Sequence, residues 1–249
     1  MGTLANQVLG DLMGKVGNVI GRRRKNKYFI YAAPAEVKIS NSPAAIKSRD
    51  IMKTVSRFAS MVNSIPELKY LWMNSKVVAF DAFHKIEKEN FHFFMHERPT
   101  VNNFITPIES IKNPISEGII SERGIKLKLD IDKEVLSQFE GANEVTGVGI
   151  ICYFNPSEGK MDYFQLNRLI ACSIEVKNEG GLDLEIAFNE EEKRNYNSYL
   201  NSILYFTLVS KDGNGVPIRC TINYRSEFVH EISVIRESFP NRDSWAYVI

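Results

Sequence analysis

The chain has 249 residues, 44% hydrophobic and 24% charged, with a formal net charge of +1, the composition of a folded globular protein and not of a disordered or collagen-like one. No apolar run approaches the ~20 residues of a membrane-spanning helix, and Met1–Val16 has neither a basic start nor an unbroken apolar stretch, so no export signal is expected. The charge is uneven: residues 1–116 hold 17 Lys and Arg against 9 Asp and Glu, and residues 117–249 hold 14 against 21. A basic first part and an acidic second part attract one another within a chain or between copies.

In chain order, Leu4, Val8, Leu9, Leu12 and Met13 predict a short amphipathic helix or arm over Thr3–Met13, weakened by Gly10. Next come two apolar runs, Val16–Ile20 and Tyr28–Ala33, around a cationic turn from Arg22 to Lys27. That pattern predicts a β-hairpin with a basic tip. Gly17 and Gly21 then fall on one bare strand face, where another backbone can lie close. Ser42-Pro43 is a helix start, a capping hydroxyl before proline. Ile46, Ile51, Met52, Val55, Phe58, Ala59, Val62 and Ile65 form its apolar stripe, and Pro66 ends it. Leu68, Leu71, Trp72, Val78, Ala79, Ala82, Phe83 and Ile86 predict a second helix from about Glu67 to Asn90, folding back on the first as an antiparallel pair. Arg98–Pro114, rich in Pro and Asn, reads as a linker, which sets a boundary between domains 1–113 and 117–249.

Beyond that boundary the period changes to two. Ile125, Leu127, Leu129 and Ile131 alternate with polar residues, as in a half-buried strand, and the more continuous Val145–Phe154 run predicts a central strand. Further strands are expected at Met161–Gln165, Leu169–Val176, Leu182–Phe188, Ile203–Ser210, Val216–Ile222 and Phe228–Ile235, with a hairpin turn at Lys211–Gly215 and a short helix or loop over Asn189–Asn201. The fold class expected is therefore α+β: a β-hairpin and a helical hairpin, then an all-β immunoglobulin-like sandwich.

Few constellations carry chemistry. Cys152, Cys172 and Cys220 are widely spaced in apolar runs, which predicts buried reduced thiols. His92 and His96 stand four apart, but Phe93 occupies the place where a zincin needs glutamate, so an aromatic packing segment is the reading and no metal is assigned. Glu190–Glu192 before Lys193-Arg194 is a solvated helical face. No nucleophile elbow, phosphate loop or dinucleotide fingerprint is present, so no catalytic residue and no cofactor is assigned. The candidate interaction residues are Gly17, Gly21, Arg22, Arg23, Arg24, Lys25, Lys27 and Tyr28. Arginines bind phosphates and nearby aromatics stack on bases, so nucleic acid is an alternative partner for the tip, beside an acidic protein surface.

The first ninety or so residues resemble a bacterial family of unknown function found mainly in Bacteroidota and their phages. The resemblance rests on Gly14-Lys15-Val16-Gly17-Asn18-Val19-Ile20-Gly21, the basic and aromatic strand Lys27–Pro34, the Ser42–Ala59 helix with Arg49, and Ala79-Phe80-Asp81-Ala82-Phe83 leading to Asn90. The Arg22–Lys25 run and a more charged second half depart from the family pattern. The family has no catalytic residues to carry over. The resemblance implies a second-half β-sandwich and a non-enzymatic structural component of a phage or phage-like particle. Such a protein is made in the bacterial cytoplasm, resides in the virion or assembled particle, and takes copies of itself or other particle subunits as partners.

Overall fold

A computed structural model of the protein describes residues 2–3, 14–24, 27–33, 39–94, 98–107, 110–139, 141–157, 162–169, 172–174 and 180–230. The chain divides into two compact units, Met1–Ile46 and Lys47–Ile249. The first is an antiparallel sheet of β1 (Gly2–Thr3), β2 (Gly14–Val16), β3 (Val19–Arg24) and β4 (Lys27–Ala32), in the order β1-β4-β3-β2. Apart from Thr3 in β1, the helix expected over Thr3–Met13 lies outside the described residues.

The hairpin differs from its expected form. Val16 pairs with Val19 across a tight turn at Gly17-Asn18, and of the cationic run Arg22–Arg24 belong to strand β3 and Lys27 to β4, while Lys25 and Asn26 lie outside the described residues. Gly17 has a φ of 58°, and glycine with positive φ at the first central position is what a two-residue II′ hairpin turn requires. Turn chemistry thus prevails over the apolar pattern that reads Val16–Ile20 as one strand.

The second unit is a mixed α+β body. Helix α1 (Pro43–Asn63), which begins in the last residues of the first unit, starts as expected, with Ser42 Oγ accepting the Ala45 N–H at 3.3 Å. The single helix expected over Glu67–Asn90 is two: α2 (Pro66–Asn74) and α3 (Ala82–Asn90), followed by a 3₁₀ turn at Phe91–Phe93. The break has a local cause, because Asp81 caps α3 by accepting the His84 N–H at 2.9 Å, a bond a helix interior cannot offer. Lys85 on α3 then donates to Met73 O and Ser75 O, each at 2.8 Å, satisfying carbonyls left open at the end of α2.

The strands that follow are β5 (Ile115–Ser121), β6 (Gly124–Ile131), β7 (Glu144–Pro156), β8 (Phe164–Arg168), β9 (Cys172–Ile174), β10 (Gly180–Ala187), β11 (Tyr199–Lys211), β12 (Pro217–Cys220) and β13 (Tyr224–Val229). Helix α4 (Lys133–Gln138) follows β6 and α5 (Glu190–Ser198) precedes β11. Two antiparallel sheets result, one of order β10-β6-β5 and one of order β12-β11-β7-β8, with β13 beside β11 and β9 beside β7. Strand β6 alternates as predicted, with Ile125, Leu127, Leu129 and Ile131 buried.

The larger sheet is buried on both faces. Ile151, Tyr153, Leu204, Phe206 and Leu208 pack with β6, β10, α4 and α5 in one cluster. Ile150, Cys152, Phe154, Ile203, Tyr205 and Val209 pack with Val55, Phe58, Val62, Leu68, Trp72 and Ile86 of the three helices in the other. That two-sided burial explains why Val145–Phe154 reads as a continuous apolar run.

The boundary expected between 113 and 117 is not where the compact units divide. The helices close their stripe on the sheet, and the units divide at 46/47 instead. The Pro/Asn-rich join is a packed strap, with Asn103, Ile105 and Thr106 buried. Asn90 holds it, donating to Phe104 O at 3.0 Å and accepting from Phe104 N at 2.9 Å and Asn103 Nδ2 at 3.2 Å. The Trp72 indole donates to Ile105 O at 2.8 Å.

Candidate interaction surface

In the N-terminal sheet, Arg22 pairs with Phe29, Arg23 with Tyr28 and Arg24 with Lys27. Paired residues share a face, so cations and aromatics alternate across one strand pair. The Arg23 guanidinium stands 5.5 Å from the Tyr28 ring centroid, within cation–π range. Arg22, Arg23 and Lys27 are exposed, while Tyr28, Phe29, Ile30 and Tyr31 are half-buried. Lys25 lies outside the described residues.

The two glycines do not act together as expected. Gly17 forms the turn at one end of β3, and at ~3.3 Å per residue it lies on the order of 20 Å from the cationic end. Among the described residues nothing stands within 4 Å of a Cβ built on Gly17, and its positive φ in the turn accounts for glycine there. Gly21 lies mid-strand, paired with Gly14 on one side and Ile30 on the other, while Ile30 also pairs with Gly2. A row running Gly2, Ile30, Gly21, Gly14 thus crosses the sheet with one side chain in four positions. The bare track exists, but Gly14 and Gly2 supply it in place of Gly17.

The second unit contains polar groups that sequence reasoning did not single out. His230 is buried, and its Nδ1 lies 2.7 Å from Tyr199 O and 3.0 Å from Tyr196 O, which fixes the proton on that nitrogen. Its Nε2 is left to accept from Ser202 Oγ at 2.8 Å, and the ring stacks on Tyr196 at 4.1 Å. Burial lowers the His230 pKa, outweighing the two carbonyls that raise it. Although serine and histidine meet here as in a nucleophile–base pair, Ser202 is fully buried. The pair is a clamp tying the end of β13 to the α5–β11 junction.

Burial pushes the Cys152 thiol far above its ordinary range and the Cys220 thiol up to about 11, the latter against a lowering contact from Ser110. Both are free and buried, hence inert as nucleophiles at neutral pH. Among the described residues, no three His, Cys, Asp or Glu side chains are grouped to hold a metal, and no helix is long and apolar enough to cross a membrane. Of the expected histidine pair, His96 lies outside the described residues.

No family model and no curated protein matches the chain. Two crystal structures of a β-glucosidase from Kluyveromyces marxianus, one in complex with glucose and one selenomethionine-labelled, align at 11% identity with TM-scores of 0.15 and 0.16. The alignments cover 48% and 53% of this chain but 14% and 16% of those chains. A likeness of that size carries no argument about fold or activity.

Proposed function

We propose that this chain is a non-enzymatic structural component of a phage or phage-like particle. The N-terminal sheet is its attachment element, and the second unit is the body it carries. The observation that carries this reading is the contrast in burial between the units. The N-terminal sheet has strands of two, three, six and six residues. Among the described residues, both buried hydrophobic clusters nevertheless draw on the second unit alone. A small sheet without a core is marginal in water until something covers it. The body is read as an immunoglobulin-like sandwich: lettering β5, β6, β7, β10, β11 and β12 as A, B, C, E, F and G gives sheets E-B-A and G-F-C. The resemblance of the first ninety residues to a phage-associated family supports the same assignment.

A second reading, nucleic-acid association through Arg22, Arg23, Arg24, Lys25, Lys27 and Tyr28, is favoured by the stacking of Arg23 over Tyr28 and the Arg22–Phe29 pairing. Sedimentation of the full chain, of residues 47–249 and of the triple Arg22→Glu, Arg23→Glu, Arg24→Glu variant separates the two readings. Attachment predicts that both altered chains lose association with copies or particle subunits without unfolding. If only the triple variant changes, and what it loses is salt-sensitive binding of heterologous DNA, the nucleic-acid reading replaces the first.

A further inference from the structure

Strand β8 is an open edge: it pairs with β7 and with no other described strand. Leu169 N donates to Gly149 O at 3.0 Å. By the alternation of an antiparallel ladder, residues 165 and 167 also turn their backbone groups to β7, while Phe164, Leu166 and Arg168 turn theirs outward. Alongside this edge runs α1, and between them lies a groove of about 580 Å³. Its floor is Met61 and Leu166, and its helical wall carries the hydroxyls of Ser60 and Ser64. Cations stand at both ends. Lys53 and Arg57 line one, and Arg168 reaches from the other to Ser64 O at 3.4 Å. The Arg57 guanidinium covers the Phe164 ring at 4.3 Å and lies 3.5 Å from Phe164 O, a weak contact. Against these three cations stand Asp162, 3.7 Å from Arg57, and Glu87, which Ser56 Oγ holds at 2.6 Å.

We propose that this groove binds an extended acidic segment of a partner protein, which adds to β8 as a further strand. An outward row of N–H and C=O groups with no strand partner among the described residues is a template for such addition. The apolar floor takes alternate side chains of the guest, and the surplus of cations selects carboxylates. The site lies wholly in the second unit and is independent of the role given to the N-terminal sheet.

The test uses the full chain and a short labelled peptide of alternating threonine and glutamate. Binding should slow hydrogen exchange at the Leu166 and Arg168 amides and weaken with added salt. Ser60→Trp, which fills the groove from an exposed helical position, should cost about tenfold or more in affinity, and Lys53→Glu with Arg168→Glu a similar factor. Circular dichroism keeps loss of fold apart from loss of binding. No binding, binding unaffected by Ser60→Trp, or equal binding of a threonine–lysine peptide would overturn the proposal and leave the cations as guards of an exposed edge. Slowed exchange at these amides that tracks protein concentration without peptide would overturn it in favour of a second copy.

Discussion

The two units use β-structure in opposite ways. In the second, β7 and β11 are sealed on both faces, by helices on one side and by the β10-β6-β5 sheet on the other, so their stability comes from burial. In the first, four short strands satisfy one another's backbone groups, and none of their described side chains joins either buried cluster. Hydrogen bonds alone contribute little net stability. One region therefore holds its own core, and on the function proposed above the other is the part that a partner covers.

The largest effect expected follows from the helical layer. A chain limited to residues 117–249 lacks α1–α3 and exposes Ile150, Cys152, Phe154, Ile203 and Tyr205. It should show no cooperative thermal unfolding, whereas residues 47–249 should unfold in one transition close to that of the full chain. Next comes Trp72→Ala. Trp72 is fully buried with its N–H on Ile105 O, so its loss should cost about 3–5 kcal/mol in denaturant unfolding. A cost below about 1 kcal/mol would mean that the helices are loosely held.

A smaller effect is expected at Lys211–Glu67, an ion pair at 3.0 Å joining β11 to α2 with side chains 15% and 13% exposed. Burial raises the Glu67 carboxyl pKa, but its backbone hydrogen bond and Lys211 together outweigh that and hold it below its ordinary value. The contribution is therefore present above the unfolded carboxylate pKa and lost as pH falls through the lowered one. Lys211→Met should cost about 3 kcal/mol near neutral pH and flatten the acid limb of the stability profile.

For His230 the direction of linkage is the same though the group is a base. Its lowered pKa favours the neutral ring when folded, so its contribution is full above pH ~6.5 and is lost as pH falls through the lowered value. His230→Gln should make unfolding free energy less steep in pH between about 6.5 and the lowered value. Smallest of all, reversing Arg22, Arg23 and Arg24 should leave the unfolding of the second unit unchanged within about 0.5 kcal/mol.

Much of the fold was legible where local chemistry decides it. Ser42-Pro43 opens α1, β6 alternates as its residues do, and the Lys211–Gly215 turn joins β11 to β12. The errors lie where distant burial or a single turn residue decides. The continuous Val145–Phe154 run predicts a central strand, yet periodicity cannot say that the preceding helices cover one of its faces. Asparagine composition marked 98–114 as a linker, although Asn90 and Asn103 use their amides to pin it down. At the candidate site the basic strand and its aromatics were readable, but Gly17 was assigned to the wrong geometry. The β8 edge left no local trace, because an edge is a property of the neighbours a strand lacks.

The claim that the first unit awaits a covering surface is tested most directly by amide hydrogen exchange on the dilute full chain. The account predicts that β3 and β4 amides, such as those of Gly21 and Ile30, exchange with little protection while Ile151 and Leu204 exchange only through global unfolding. The same β3 and β4 amides should become protected under conditions where sedimentation shows assembly. Protection of Gly21 and Ile30 equal to that of Ile151 and Leu204 in the dilute monomer would contradict the account, because the sheet would then be stable without a partner.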